Sequence, residues 1–257
     1  MDNEKFKQAY DMAVAAQKAN NGIGTLGEKV LHATLKHYIE PDAACHEIKT
    51  GRFVADIVNH GGIVEIQTGG FVALRKKLEH FLEEHTVTIV HPIAHVKHLT
   101  WIDPQTGEAN GRRKSPKKGK VWDVLPHLYW IRSVLEYPNL KLRLMLIDME
   151  EYRLLSGWGN GGKRGSIRAD RLPGELIEEA YINCLADYAQ FIPSMIPERF
   201  TTKDYMKATR LSPRGTQRAI TVLRHVGAVK MVGKDGNAYI YERNFELEGN
   251  ANEQQIN

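Results

Sequence analysis

The sequence predicts an α/β (α+β) protein with a mixed central sheet, flanking helices and a smaller C-terminal module. Between residues 25 and 95, amphipathic helical stretches and short β-like runs follow the order α-β-β-β-α-β. Residues 197–246 follow the order helix, turn, helix, hairpin. The 257 residues are 42% hydrophobic and 26% charged, which is typical of a soluble globular protein with one large or two smaller domains.

The cysteine content and the lack of apolar runs indicate a cytoplasmic protein. Cys45 and Cys184 form neither a disulfide framework nor a CxxC motif, which suits a reducing compartment. The first residues contain no continuous apolar stretch, and no later run is long enough to span a bilayer. We therefore expect neither secretion nor a membrane partner.

The elements of the larger domain can be placed in order. Residues 1–22 predict an N-terminal helical arm, and residues 23–192 predict the main domain. Its first helix starts at Thr25, and its second helix follows three β-like segments. The apolar stripe of the first helix is Leu31, Thr34, Leu35 and Tyr38, and that of the second is Phe71, Leu74, Leu78, Phe81 and Leu82.

The second half of this domain has less regular patterning. Residues 103–120 predict a basic loop inserted between elements, because Gly, Pro and Lys dominate it. A helix over 121–135, a long strand or strand pair over 141–155 and a helix over 173–192 follow. Two prolines within 193–200 mark the domain boundary.

The order of elements in residues 197–246 is that of a winged helix, and a disordered tail is predicted for 247–257. In the second helix, Ser212 is the expected N-cap, Pro213 lies in the first turn and Gly227 ends the helix. In a DNA-binding winged helix, the second helix enters the major groove. The side chains expected at the DNA are Arg214, Thr216, Gln217 and Arg218, with Lys234 on the wing. A winged helix that contacts protein is the alternative.

Two acidic residues interrupt β-like runs that are otherwise apolar. A tight turn that pairs Asn59 with Gly62 sets Asp56 directly opposite Glu65, with Gln67 on the same face. Facing carboxylates repel each other, and a divalent cation relieves that repulsion because hard oxygens are its preferred ligands. The alternative is a hairpin whose acids face water. The residues expected to point into the core are Ala55, Ile57, Val64 and Ile66.

The element order, with Asp56 on one strand and Glu65-Ile66-Gln67 on the next, resembles the restriction-endonuclease-like (PD-(D/E)XK) nuclease superfamily. The resemblance covers roughly residues 25–95. It implies that Asp56 and Glu65 bind Mg²⁺, that Glu28 on the first helix completes the metal site, and that Gln67 stands where a catalytic lysine is usual. Because glutamine brings no positive charge, Arg75 or Lys77 could supply the missing cation.

Glu28 has a second interpretation, because Thr25-Leu26-Gly27-Glu28 also fits a capping box. If the resemblance holds, the four catalytic residues are Glu28, Asp56, Glu65 and Gln67, with Mg²⁺ as cofactor and Mn²⁺ as its substitute. The metal would polarise a phosphodiester and activate a bound water for in-line attack, with Gln67 positioning that water. The substrate would be DNA in preference to RNA.

Two basic runs, at 111–120 and 161–171, support a polyanionic partner through Coulomb attraction and counterion release. A solvated basic loop is the alternative. The residues predicted to bind DNA are Arg112, Arg113, Lys114, Lys117, Lys118, Arg214, Gln217 and Arg218.

Two other motifs carry less weight. Residues 157–164 nearly match a P-loop, but Arg164 replaces the Ser or Thr that binds Mg²⁺. His91, His95 and His98 suggest zinc, but they lie in a strand-like run without a cysteine or acidic partner in register.

The sequence favours a Mg²⁺-dependent DNA endonuclease. The alternatives are a DNA-binding or regulatory protein that keeps the nuclease fold without activity, and a protein-interaction adaptor. Restriction-type nucleases often act as homodimers, and the sequence leaves that open for this chain.

Overall fold

The computed structural model describes residues 2–19, 30–158 and 164–244. It is a mixed α+β structure in which helices flank a large sheet of parallel and antiparallel strands, as predicted. The helices are α1 Asn3–Ala19, α2 Val30–Ile39, α3 Arg75–Phe81, α4 Leu125–Leu128, α5 Thr202–Thr209 and α6 Pro213–His225. The strands are β1 His46–Thr50, β2 Phe53–Asn59, β3 Gly62–Ile66, β4 Val87–Ile102, β5 Ala109–Lys114, β6 Leu140–Trp158, β7 Arg164–Ile182, β8 Arg199–Thr201, β9 Val229–Asp235 and β10 Ala238–Arg243.

Within these described ranges, the larger sheet has seven strands in the order β1-β2-β3-β4-β6-β7, with β5 paired to β4. Strands β1, β2 and β3 form an antiparallel meander. The β3–β4 and β4–β6 pairs are parallel, so each needs a crossover. Helix α3 lies in the first crossover, and β5 and α4 lie in the second. The sheet is therefore of the mixed type that was predicted.

Helices cover the sheet with two apolar clusters. The predicted stripe on α2 is buried, with Leu31 and Leu35 packed in one cluster with Ile57 of β2. Helix α1 joins this cluster through Phe6, whose ring centroid is 5.2 Å from that of Tyr38. The helix predicted after the three β-like segments contains α3. Its predicted apolar stripe is buried in the other cluster. The N-terminal helix thus packs on the main domain.

The C-terminal segment has the predicted order of elements. The Ser212 hydroxyl caps α6 by accepting the Gly215 N–H at 3.1 Å, and Gly227 follows the helix with φ of +74°. Strands β9 and β10 form the predicted hairpin, and β10 also pairs with β8. The segment shares a core with the main domain, and the Trp122 indole N–H donates to the Thr209 carbonyl at 3.2 Å. As predicted, Ile220, Val222 and Leu223 are buried.

Two predicted elements are wrong. The basic stretch 103–120 is not a plain loop, because residues 109–114 form β5 and pair with β4. The helix predicted over 173–192 is instead the end of β7, followed by a 3₁₀ helix at Leu185–Phe191. Buried Leu176 and Ala180 are four residues apart, a spacing that also fits a helix, and pairing with the long β6 selects the strand.

The helix predicted over 121–135 is instead a chain of short turns, with 3₁₀ helices Val121–Val124 and Tyr129–Val134 on either side of α4. The predicted long strand over 141–155 is confirmed as part of β6. The predicted tail, 247–257, lies outside the described residues. The domain limits at 22, 192 and 197 stay predictions.

Candidate active site at the β2–β3 hairpin

The β2–β3 hairpin has the predicted register. Asn59 pairs with Gly62 and Ile57 with Val64, which places Asp56 opposite Glu65. Gly62 has φ of +108°, and a Cβ there would collide with the Thr86 carbonyl. The turn therefore needs glycine, and it fixes the register that brings the two acids together.

The two carboxylates hold the ends of the strands together. An Asp56 oxygen, Oδ2, accepts the Ile66 backbone N–H at 2.7 Å. In return, Glu65 Oε1 accepts the Asp56 backbone N–H at 3.3 Å. Glu65 is only 3% exposed. The interpretation in which both acids simply face water is therefore wrong for Glu65.

Two helices bring basic side chains to this pair from opposite directions. From α3, Lys77 Nζ lies 2.6 Å from Glu65 Oε2. From α2, His32 Nε2 lies 3.4 Å from Asp56 Oδ2. Of the two cations that could have replaced the usual lysine, Lys77 reaches the site, whereas Arg75 pairs with Glu79 on the surface at 2.8 Å.

The environment separates the acidity of the two carboxyl groups. Burial and the charge of Asp56 raise the pKa of Glu65 to about 7, although Lys77 acts to lower it. Burial also opposes ionisation of Asp56, but His32, the Ile66 N–H and Lys77 outweigh it and lower the pKa of Asp56 below its ordinary value. At neutral pH the pair therefore holds one firmly ionised acid and one that readily takes up a proton.

Gln67 follows β3 and serves the next loop. Its backbone N–H donates to Val90 at 2.8 Å, and its carbonyl accepts from His91 Nδ1 at 2.5 Å. Its side-chain Nε2 donates to the Gly70 carbonyl at 2.7 Å. The amide thus closes the loop 67–70, while Lys77 provides the cation beside Glu65.

Glu28, with the capping box that starts at Thr25, lies outside the described residues. In residues 2–19, 30–158 and 164–244, no group of three or more His, Cys, Asp or Glu side chains could hold a metal ion. The predicted metal ligands that the structure does bring together are Asp56 and Glu65.

The residues predicted to bind DNA in the basic stretch have different surroundings. Arg112 pairs with Glu150 at 2.6 Å, and the Arg113 guanidinium lies over the Trp101 ring at 4.9 Å. Lys117 pairs with Asp123 at 2.8 Å. The side chains of Lys114 and Lys118 are exposed.

On α6, Arg214 and Gln217 are exposed, as a DNA-contacting face requires. Arg218 lies over the Trp130 ring at 4.8 Å. Thr216 is fully buried, and its hydroxyl donates to the Ser212 carbonyl at 3.0 Å. The expectation that Thr216 contacts DNA is therefore wrong, because it lies on the core face of the helix.

The three histidines of β4 have separate partners. His95 Nδ1 lies 2.8 Å from Asp148 Oδ1, and His98 Nδ1 lies 3.6 Å from Glu150 Oε1. His91 instead bonds to Gln67. Burial lowers the pKa of His91 to about 3, so its ring is neutral. The near P-loop lies partly outside the described residues, since 159–163 are not among them.

The sequence interpretation missed His127, whose ring centroid lies 5.4 Å from that of His91. It also missed Arg171, whose Nη2 donates to the Thr68 carbonyl at 2.8 Å, just beyond Gln67. No spacing in the sequence indicates either one, because both reach the loop after β3 from distant segments.

Comparison with known proteins places the chain in a family. Residues 29–183 match the model described as "Domain of unknown function (DUF8091)". The chain belongs to this family. The DUF8091 region contains the hairpin acids, α3 and all seven strands of the larger sheet that the structure describes, and it ends before α5 and α6.

A curated relative extends beyond the DUF8091 region. An "Uncharacterized protein" of Treponema pallidum (strain Nichols) is 26% identical over 226 residues, which are 86% of this chain and 87% of that protein. No solved structure gave a match. Among the described helices, none combines the length and apolar character needed to cross a membrane.

Proposed function

We propose that the chain is a Mg²⁺-dependent DNA endonuclease, with a restriction-endonuclease-like catalytic domain and a C-terminal winged helix. The observation that carries this proposal is the arrangement of Asp56 and Glu65. The two acids face each other across the β2–β3 hairpin, with Lys77 2.6 Å from Glu65. Facing acids with an adjacent lysine are the combination that metal-dependent phosphodiester hydrolysis needs.

The donor set fits a hard divalent ion. Asp56 and Glu65 offer carboxylate oxygens, and the resemblance adds Glu28 as a third. Burial and the charge of Asp56 raise the pKa of Glu65 even with Lys77 in place, and a bound cation would offset the repulsion between the two carboxylates. Asp56 and Glu65 would hold Mg²⁺ or Mn²⁺. The chemistry that such an ion supplies when bound is polarisation of the phosphodiester and acidification of a water molecule.

Residues of the chain would perform the remaining work. Lys77 is positioned to donate to an oxygen beside Glu65, where it would orient the attacking water or offset charge on the phosphate. His32 holds Asp56 in place from the other helix. The fixed hairpin register keeps these groups preorganised, which is the main requirement for phosphoryl chemistry.

The C-terminal segment would bind the duplex. Its order of two helices and a hairpin is that of a winged helix, and the exposed side chains of α6 fall on one face. On the hairpin, Lys234 lies over Tyr239 at 4.7 Å, where a wing contacts phosphate. The exposed side chains on that face of α6 are Arg214, Gln217, Thr221 and Arg224.

One observation favours a second candidate, a DNA-binding protein without catalytic activity. Gln67 stands at the position where the restriction-endonuclease-like pattern has a lysine. Its side-chain amide already donates to the Gly70 carbonyl. In this case the winged helix and basic stretches would still bind DNA, and Lys77 would serve only to neutralise Glu65.

Cleavage of supercoiled plasmid separates the two candidates. The nuclease converts plasmid to nicked or linear form with Mg²⁺ or Mn²⁺ and not with EDTA, and Asp56→Ala abolishes cleavage while DNA binding persists. Binding to plasmid without cleavage under any metal condition would leave the non-catalytic candidate.

A further inference from the structure

A cavity of about 280 Å³ lies beside the loop that follows β3. It is close to the lower end of the volumes of small-ligand sites, which begin at roughly 300 Å³. The polar residues of its wall are His91, Lys97, Ser115, Lys117, Asp123 and His127.

The cavity occupies a gap in the large sheet. One edge of β4 pairs with β3 up to Val90 and with β5 from His98 onward. Between these two pairings, the segment after β5 covers the edge, with the Gly119 N–H donating to the His95 carbonyl at 2.9 Å. The gap therefore opens where β3 ends, next to Gln67. Gln67 is two residues after Glu65 in the sequence.

The inner wall has the chemistry of a site for a neutral heterocycle. The His91 ring is buried and neutral, and Nδ1 must carry the proton because it bonds to the Gln67 carbonyl. Nε2 is therefore a hydrogen-bond acceptor. Phe71 contacts the rings of both His91 and His127, and residues 92–94 add apolar surface. Phosphate alone would find no donor in the His91 ring, whereas a base N–H finds an acceptor.

The outer wall is cationic. The Lys117 side chain is 62% exposed and marks the mouth, where it pairs with Asp123. Lys97 also lines the cavity and pairs with Glu151 at 3.2 Å. Burial lowers the pKa of His127; Asp123 acts to raise it, and the positive charges of Arg218 and Lys117 act to lower it further. A group with an anionic end and a heterocyclic end matches this polarity.

We propose that this cavity binds one nucleotide of the substrate strand, with its phosphate at Lys117 and Lys97 and its base against His91 and His127. The role as a substrate subsite rests on the proposed nuclease function. Its place beside Gln67, at the end of β3, would hold a nucleotide next to the phosphodiester that is cleaved. Lys117 thus has a more specific role than the general phosphate contact predicted from sequence.

The test is binding of the four 2′-deoxynucleoside 5′-monophosphates to the full chain in EDTA, measured by calorimetry. We expect wild type to bind monophosphates, and to bind inorganic phosphate and the unphosphorylated nucleosides more weakly. Lys117→Met should weaken binding about tenfold, the worth of one charge-assisted contact. The control is Lys76→Met, which removes the same charge from an exposed position on α3 outside the cavity and should bind as wild type does.

A second variant, His127→Phe, keeps the ring packing and removes the nitrogens, and it should also weaken binding. The inference is overturned if wild type binds no monophosphate at millimolar concentration, if Lys117→Met and Lys76→Met bind alike, or if inorganic phosphate binds as tightly as the nucleotides. Plasmid cleavage is scored separately. Cleavage without nucleotide binding would rule out only the nucleotide subsite. Nucleotide binding without cleavage would rule out only the proposed nuclease activity.

Discussion

Lys77 Nζ lies 2.6 Å from Glu65 Oε2, so the cation beside the second acid comes from helix α3 and not from the strand. In the restriction-endonuclease-like pattern that the sequence resembles, this charge stands two residues after the acid, where this chain has Gln67. A lysine on the crossover helix reaches the same carboxylate because α3 packs directly against the strands of the hairpin. In the proposed enzyme, Lys77 therefore replaces the strand lysine.

Lys77→Met should reduce the rate of plasmid cleavage by about a hundredfold, because the transition state loses a preorganised donor. Lys76→Met is the matched control, since Lys76 precedes Lys77 on α3 and is exposed. It should cleave as wild type does. Equal rates for the two variants would show that Lys77 is not part of the chemistry.

Glu65 should make the metal-free protein less stable as the pH rises. Its pKa is about 7 when folded, above its ordinary value of 4.5, so the folded state holds an extra proton between these values. The contribution of Glu65 therefore falls by roughly 3 kcal/mol from pH 4.5 to 7. Denaturant unfolding in EDTA gives the difference in the free energy of unfolding between Glu65→Gln and wild type. This difference should shift in favour of Glu65→Gln when the pH is raised from 5 to 8. A difference that does not change with pH would contradict this.

The contribution of His91 to stability should depend on pH in the opposite direction. Burial lowers the pKa of His91 from the ordinary value of 6.5 to about 3 when folded, so the unfolded state binds the extra proton. Its stabilising contribution is complete above pH 6.5 and declines by roughly 2 kcal/mol on acidification to pH 5. His91→Asn keeps a donor for the Gln67 carbonyl and does not titrate. Between pH 7 and pH 5, the free energy of unfolding should fall less for this variant than for wild type. An equal fall in both proteins would contradict the prediction.

Arg214→Ala should weaken duplex binding similarly across sequences if it contacts phosphate, and it should reduce the slope of log K against log salt by about one. Arg199→Ala serves as control, because Arg199 lies on β8, is 73% exposed and pairs with Glu242 of β10. Fluorescence anisotropy with a labelled duplex at several salt concentrations measures both. An unchanged slope for Arg214→Ala would remove α6 from the DNA interface.

The hairpin was predictable from sequence because its determinants are local. A glycine-containing turn and alternating side chains fix which residues face each other, so the Asp56–Glu65 pair followed from counting. The apolar stripe on α2 and the N-cap at Ser212 are equally local, and the structure has both. Local patterns failed in β7, where Leu176 and Ala180 suit either a helix or a strand and only the partner β6 decides.

The rest of the site depends on crossover connections. Lys77 could be named only as one of two candidates, because the sequence does not state how α3 sits over the sheet. His91 and His127 are 36 positions apart by their residue numbers and meet because the segment after β4 returns to the sheet edge. The cavity between them lies where neither β3 nor β5 pairs with β4. Its position therefore depends on three strands at once.

The most direct test of the nuclease site is the initial rate of Mg²⁺-dependent plasmid cleavage by Asp56→Asn, measured beside wild type and the exposed control Asp235→Asn. Asparagine keeps the shape of Asp56 and an acceptor for the Ile66 N–H, and it removes the charge. The account predicts that Asp56→Asn loses at least about a hundredfold in rate while its fold and DNA binding persist, and that Asp235→Asn matches wild type. Cleavage by Asp56→Asn at the wild-type rate would show that the hairpin acids are not the catalytic site.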